Sequence, residues 1–178
     1  LRRSLGVRTV FNLLGPLVNP LQPQAQVLGV ARADLLDPMA GALDQLRLDR
    51  AVVVHGAGGL DEASLAGTNE LRMVEAGQPI ATRFVSPDDV GLAAAPLEAL
   101  RGGDLAENQR ILEDVLKGQA TAAQMDVVAF NTALVLWVAG AELDLKSAAR
   151  RASETLSGGL PWQKLQDLQQ ALSHGNGE

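Results

Sequence analysis

Two apolar runs without alternation, AQVLGVA at 25–31 and RAVVVHG at 50–56, flank a stretch in which Leu35, Leu36, Met39, Leu43 and Leu46 recur at helical spacing. An unbroken apolar run suits a strand buried on both faces. Strand, helix and strand in that order predict parallel strands joined by a right-handed crossover. Asp34 stands where it can cap the intervening helix. The pattern points to the α/β class, with part of a mostly parallel sheet flanked by helices.

The remaining segments fit around that unit. FNLLGPLVNPLQPQ (11–24) carries Gly15, Pro16, Pro20 and Pro23, a density that forbids helix and central strand alike, so an ordered connector or hinge is expected. ELRMVEAGQPIATRFV (70–85) reads as a hairpin turning at Gly77. Helices are predicted over 104–117 with Asp104 as cap, 121–140 with Thr121 as cap, 144–157, and 161–172 opening at Pro161. The C-terminal half is therefore helical, and the last residues, SHGNGE, are expected to fray. Leu1 and Leu5 share helical spacing up to a stop at Gly6, and no capping residue precedes them, as in a chain whose beginning lies elsewhere.

Composition removes several function classes. The chain has 178 residues, a net charge of -6 and no basic stripe, which argues against nucleic acid as partner. It has no cysteine and two histidines, so thiolate and His-rich metal sites are excluded while an oxygen-ligated hard cation is not. The most apolar segment, VVAFNTALVLWVAGA (127–141), is too short to span a bilayer and contains Asn131, so it reads as a core helix in a cytoplasmic protein.

HGAGGLDE (55–62) is the chemically suggestive stretch. Beyond the carboxyl end of a parallel strand lies the place where open α/β sheets bind ligands. Glycines there can let backbone approach a ligand and present N–H groups. Asp61 and Glu62 are adjacent on this loop and can share a Mg²⁺, which is commonly held by one or two carboxylates plus substrate phosphates. The same residues also fit a solvated loop in which Asp61 caps a turn. Arg2, Arg3 and Arg8 make a positive patch able to grip a carboxylate or phosphate, or simply an exposed helix end. His55 can be a general base, or a near-core residue satisfied by backbone. Thr68 and Asn69 look like turn chemistry. Trp137 is assigned to the core, and Trp162 to packing at a helix end.

In order, LRRSLGVRTVFNLLGPLVNP, AQVLGVA, RAVVVHGAGGLDEASLAGTNE and VVAFNTALVLWVAGAELDLKSAARRASETLSGG resemble the C-terminal half of the anthranilate phosphoribosyltransferase family. The resemblance runs from Leu1 to about Leu172. It implies transfer of a phosphoribosyl group from phosphoribosyl pyrophosphate to the anthranilate amine in tryptophan biosynthesis, Mg²⁺ as cofactor, and a homodimer at full length. It further implies that residues 1–12 are a remnant of a helical domain plus hinge, and that 13–178 are the C-terminal part of the α/β domain. Asp61 and Glu62 match the family's metal-holding acidic pair, Arg2 the arginine that contacts anthranilate, and Pro16 a hinge-side residue on that substrate's path. No residue is identified as catalytic. The family's glycine-rich pyrophosphate loop does not occur here, so this chain alone is expected to lack turnover and to leave an apolar sheet edge or face exposed. The alternatives are a pyrimidine-nucleoside-phosphorylase-like enzyme, which shares RTVFNLLGPLVNP in similar form, and a nucleic-acid-binding relative, which the acidic pair and the negative charge oppose.

Overall fold

The computed structural model describes residues 15–174. The proline-rich connector begins with one 3₁₀ turn, Gly15–Leu17. Strand β1 (Ala25–Gly29) follows, then helix α1 (Leu36–Gln45) and strand β2 (Arg50–His55). β3 (Asn69–Glu75) and β4 (Ala81–Val85) form a hairpin whose turn contains Gly77 at φ 75°. A connecting segment with two 3₁₀ turns (Asp88–Val90 and Leu97–Leu100) leads to the helices α2 (Leu105–Leu116), α3 (Ala122–Val138), α4 (Leu145–Ser157) and α5 (Leu160–His174).

The sheet order is β1-β2-β3-β4. β1 and β2 are parallel, with Ala25 opposite Arg50 and Gly29 opposite Val54. β2–β3 and β3–β4 are both antiparallel. The α/β class holds, but among the described strands the sheet is mixed rather than mostly parallel. The cause is local: β2 leads through a loop without a crossover helix into β3, and two strands joined that way run antiparallel. Among the described residues β1 is paired on one side only.

The unbroken apolar character of β2 has its explanation in layering. Val52 and Val54 face α3 and α4, in a core with Leu71, Phe130, Leu134 and Ala148. Ala51 and Val53 face the other way, packing with Leu36, Met39 and Leu43 of α1. A strand covered on both faces cannot alternate apolar with polar. Trp137 closes the α3 side, with the guanidinium carbons of Arg50 and Arg83 at 5.8 and 5.2 Å from its ring centre. Lys117, just beyond α2, sets its ammonium 4.3 Å from the Trp162 ring and so ties α5 to that helix end.

The two expected caps at Asp104 and Thr121 are present, and Asp144 adds a third that was not singled out from sequence. Asp104 accepts from the Glu107 N–H and Asp144 from the Ser147 N–H. Thr121 and Gln124 form a capping box. Asp34 does not cap α1, because a 3₁₀ turn (Ala33–Leu35) precedes the helix and the carboxylate pairs with Arg32 instead. Among the described residues no helix is long and apolar enough to cross a membrane.

Candidate metal and substrate site

β2 ends at His55, and the chain reverses within four residues. Gly58 and Gly59 adopt φ of 86° and 83°, a region glycine enters without a Cβ clash. The reversal returns Leu60 to pair with Gly56. The Gly56 N–H donates to the Leu60 carbonyl at 2.9 Å, and the Gly59 N–H donates to the Gly56 carbonyl at 3.0 Å. At Gly56 and Gly59 the N–H groups are taken up inside the turn rather than offered to a ligand, and the close approach that Gly56 permits is to the chain itself.

That approach is what carries the acidic pair. A Cβ on Gly29 would lie 1.6 Å from the Asp61 carbonyl oxygen, and one on Gly56 would lie 2.0 Å from that of Glu62. Both obstacles are backbone, which no rotamer change removes. The backbone of Asp61 and Glu62 therefore rests directly on the carboxyl ends of β1 and β2.

Two asparagines hold the next two residues. Asn131, inside α3, accepts from the Ala63 N–H at 2.8 Å and donates to the Ala63 carbonyl at 2.9 Å. Its amide also donates to Val127 at 3.0 Å. Asn69, fully buried at the start of β3, accepts from the Ser64 N–H at 2.7 Å and donates to the Ser64 carbonyl at 3.0 Å. It also accepts from the Ala57 N–H at 3.3 Å and donates to the Val85 carbonyl at 3.0 Å. Neither asparagine was singled out as a site residue from sequence. A signal was present for Asn131, an amide within the most apolar helix of the chain, where a polar group requires partners.

Both carboxylate residues are exposed. Among the described residues no cation forms a salt bridge with either of them. Glu62 is nonetheless crowded at its carboxyl. Partial desolvation, and secondly the charge of Asp61, hold its pKa above the ordinary glutamate value. No group of three or more His, Cys, Asp or Glu that could hold a metal occurs among the described residues. Two exposed carboxylates with no protein cation paired to them among the described residues suit a hydrated Mg²⁺ that also takes phosphate better than a closed protein cage. In that sense the residues fit the ion.

The other candidates separate from this pair. The His55 Nδ1 lies 2.8 Å from the Val30 carbonyl, so that nitrogen carries the proton and the ring is satisfied by backbone. Pro16 lines a cavity of about 480 Å³ with Gln26, Arg47 and Asp49, and its carbonyl accepts from the Gln26 side chain at 3.0 Å. Gln26 is near the start of β1 and Gly29 at its end, about 10 Å apart along the strand. Pro16 and the acidic pair thus lie toward opposite ends of β1. Arg2, Arg3 and Arg8 lie outside the described residues, as does the expected boundary between residues 12 and 13.

The geometry has relatives. The glycosyl transferase family, a/b domain, matches residues 1–161. An anthranilate phosphoribosyltransferase of Synechococcus sp. (strain CC9902) is 91% identical over 178 residues, covering 100% of this chain and 51% of its own. The crystal structure of anthranilate phosphoribosyltransferase from Thermus thermophilus superposes with a TM-score of 0.82 at 43% identity, over 93% of this chain and 48% of that one. The Saccharomyces cerevisiae enzyme in complex with PRPP and Mg matches with a TM-score of 0.80 at 28% identity, over 93% of this chain and 47% of its own. The chain spans about half the length of the relatives it matches. Sheet, strand-end loop and sequence match together show that this chain belongs to the glycosyl transferase family, through its a/b domain.

Proposed function

We propose that this chain is the metal-bearing part of an anthranilate phosphoribosyltransferase. One observation carries the reading: Asp61 and Glu62 stand together at the mouth of β2 with no protein cation paired to them among the described residues, on a loop fixed beneath by Gly29 and Gly56. The 91% identity to a relative of that name supports it, as does the Saccharomyces cerevisiae enzyme solved with PRPP and Mg.

In the transfer, the bond between the sugar's anomeric carbon and a pyrophosphate oxygen breaks, and the oxygen keeps the electron pair. A carbon–nitrogen bond to the anthranilate amine forms, and the nitrogen gives up a proton. When bound, Mg²⁺ supplies positive charge where the leaving oxygens become negative. Asp61 and Glu62 would hold that ion. Their loop is already fixed, so little reorganisation accompanies its binding. Arg2, carried over from the family motif, is the residue for the anthranilate carboxylate, a group that a guanidinium can hold so that the amine faces the reacting carbon. Pro16 lines the approach of the same substrate from the hinge side. The reading brings with it a homodimer in the cytosol, acting in tryptophan biosynthesis.

The test is Mg²⁺-dependent consumption of anthranilate, measured in a protein of the relatives' full length that carries this sequence. Asp61→Asn with Glu62→Gln is expected to lower kcat/KM for phosphoribosyl pyrophosphate at limiting Mg²⁺ by about 100-fold, the upper range for disturbing a metal site. The anthranilate KM should stay unchanged, whereas Arg2→Ala should raise it. Wild-type rates from the double variant at low Mg²⁺ would remove the metal role, and with it the proposal.

A further inference from the structure

The acidic pair needs more than two carboxyl groups. Both must point where one ion can meet them, and their direction is set by the peptide planes beside them. The Ala63 N–H belongs to the same peptide plane as the Glu62 carbonyl. That N–H donates to Asn131 Oδ1 at 2.8 Å, while the Glu62 carbonyl oxygen lies against Gly56. The next plane joins the Ala63 carbonyl to the Ser64 N–H. Asn131 Nδ2 donates to that carbonyl at 2.9 Å, and the Ser64 N–H donates to Asn69 at 2.7 Å. Two consecutive planes are thus pinned on both sides. The clamp at Ala63 comes from a helix 68 positions away in sequence.

We propose that Asn131 is a positioning residue for the metal pair: by binding both backbone groups of Ala63 it aims the Glu62 carboxylate, and through it the pair, at a shared divalent cation. It acts through the backbone and touches neither ion nor substrate. The proposal deepens the reading of Asp61 and Glu62 as metal ligands and rests on it. A side-chain amide suits this task because it offers one acceptor and one donor at the spacing of a backbone N–H and its own carbonyl. The third bond, from Nδ2 to Val127 of the preceding helical turn, fixes the amide's orientation. Nothing else in α3 reaches Ala63 by a hydrogen bond.

The test is Mn²⁺ binding by the full chain, followed through the paramagnetic resonance signal of the free ion. Folding is checked by circular dichroism well below the melting temperature. Asn131→Leu keeps the branched outline of the side chain, with a larger volume, and removes both bonds to Ala63 together with the one to Val127. Asn131→Ser is a change to a smaller side chain that keeps a single polar group. Folded Asn131→Leu should bind Mn²⁺ about 10-fold more weakly, the size of effect seen when groups orienting metal ligands are lost. Asn131→Ser should fall between it and the unaltered chain. At full length the same variants should raise the KM for the Mg²⁺–phosphoribosyl pyrophosphate complex and leave that for anthranilate unchanged. A folded Asn131→Leu with Mn²⁺ affinity within about twofold of the original overturns the proposal. So does loss of fold in both variants, which would make Asn131 a core residue only. Asp61→Asn with Glu62→Gln is the separating control. If that double variant still binds Mn²⁺ normally, the ligand assignment fails; if it does not while Asn131→Leu does, only the positioning role fails.

Discussion

Asp104 and Asp144 each accept a backbone N–H at the start of a helix, from Glu107 at 2.9 Å and from Ser147 at 2.8 Å. Asp61 and Glu62, exposed on the strand-end loop, have no ion pair or hydrogen bond of that kind among the described residues, although the backbone beneath them is fixed by asparagines and glycines. The contrast separates two uses of a carboxylate. At the helix caps the charge completes the fold and its own surroundings satisfy it. On the loop the fold supports a charge that the described protein leaves unsatisfied, an arrangement that stabilises nothing unless something else binds there.

The largest expected effect lies in the loop's support. Asn69→Ala would leave the Ser64 N–H, the Ser64 carbonyl and the Val85 carbonyl without their partner in a fully buried place. Unsatisfied buried groups of this kind put the cost at roughly 2–4 kcal/mol, or a fall in Tm of about 5–12 °C for a domain this size. Calorimetry checks it. A change no larger than that of an exposed cap variant would erase the distinction between the two regions.

Gly29→Ala comes next. The new methyl would collide with the Asp61 carbonyl, so either β1 or the loop must shift. Overpacking of this sort costs about 1–3 kcal/mol, and the displacement falls on the acidic pair. Mn²⁺ affinity should therefore drop further than stability alone accounts for. Gly41→Ala serves as the control, since a Cβ there meets nothing within 4 Å. If the two variants bind Mn²⁺ alike, the loop tolerates movement and its fixed geometry has no bearing on the ion.

These two positions also mark where the sequence stops being readable. β1, β2, α1 and the hairpin at Gly77 follow from local periodicity and turn residues. Asp104 and Thr121 are legible as caps because a cap and its partner lie three residues apart, and Asp144 has the same spacing although it was not singled out. The acidic pair is visible as a motif, and its family follows from the order of motifs around it. Gly29, Asn69 and Asn131 act on residues 32, 5 and 68 positions away, through contacts that exist only once the sheet and α3 are assembled. No local pattern encodes those. The antiparallel placing of β3 differs from these, because its cause, a β2–β3 loop without a crossover helix, is local. Asp34 is the opposite case: a good local cap signal that a neighbouring arginine and a 3₁₀ turn overrode.

A smaller effect tests the cap side of the comparison. Thr121→Ala removes one half of the capping box at the start of α3, the helix that carries Asn131. The expected loss is about 1 kcal/mol, or roughly 2–4 °C in Tm. Mn²⁺ affinity should not move, because Asn131 lies about two and a half turns into the helix and is held there by packing. An affinity loss matching that of Asn131→Ser would mean that general weakening of α3, rather than the clamp, controls the ion.

The smallest effect is also the one in which the two regions differ in sign. Asp144 has its pKa held below the ordinary aspartate value, first by the Ser147 N–H and then by the Ser147 hydroxyl. Its contribution to stability is therefore present above the ordinary aspartate range and lost as pH falls through the depressed value. Glu62 has its pKa raised, by desolvation first and by Asp61 second. Its contribution is present below the ordinary glutamate range and lost as pH rises through the raised value, so at neutral pH its charge opposes folding. Without divalent cation, Glu62→Gln should raise Tm slightly near pH 7 and not at all near pH 3. Asp144→Ala should do the reverse, lowering Tm near pH 7 and converging on the original as the cap protonates in acid. Added Mg²⁺ should cancel the advantage of Glu62→Gln, because a bound cation stabilises only the chain that keeps its carboxylate. A Glu62→Gln variant less stable than the original at neutral pH, with no cation present, would show that the loop gains from its charge unaided, and the two carboxylate classes would collapse into one.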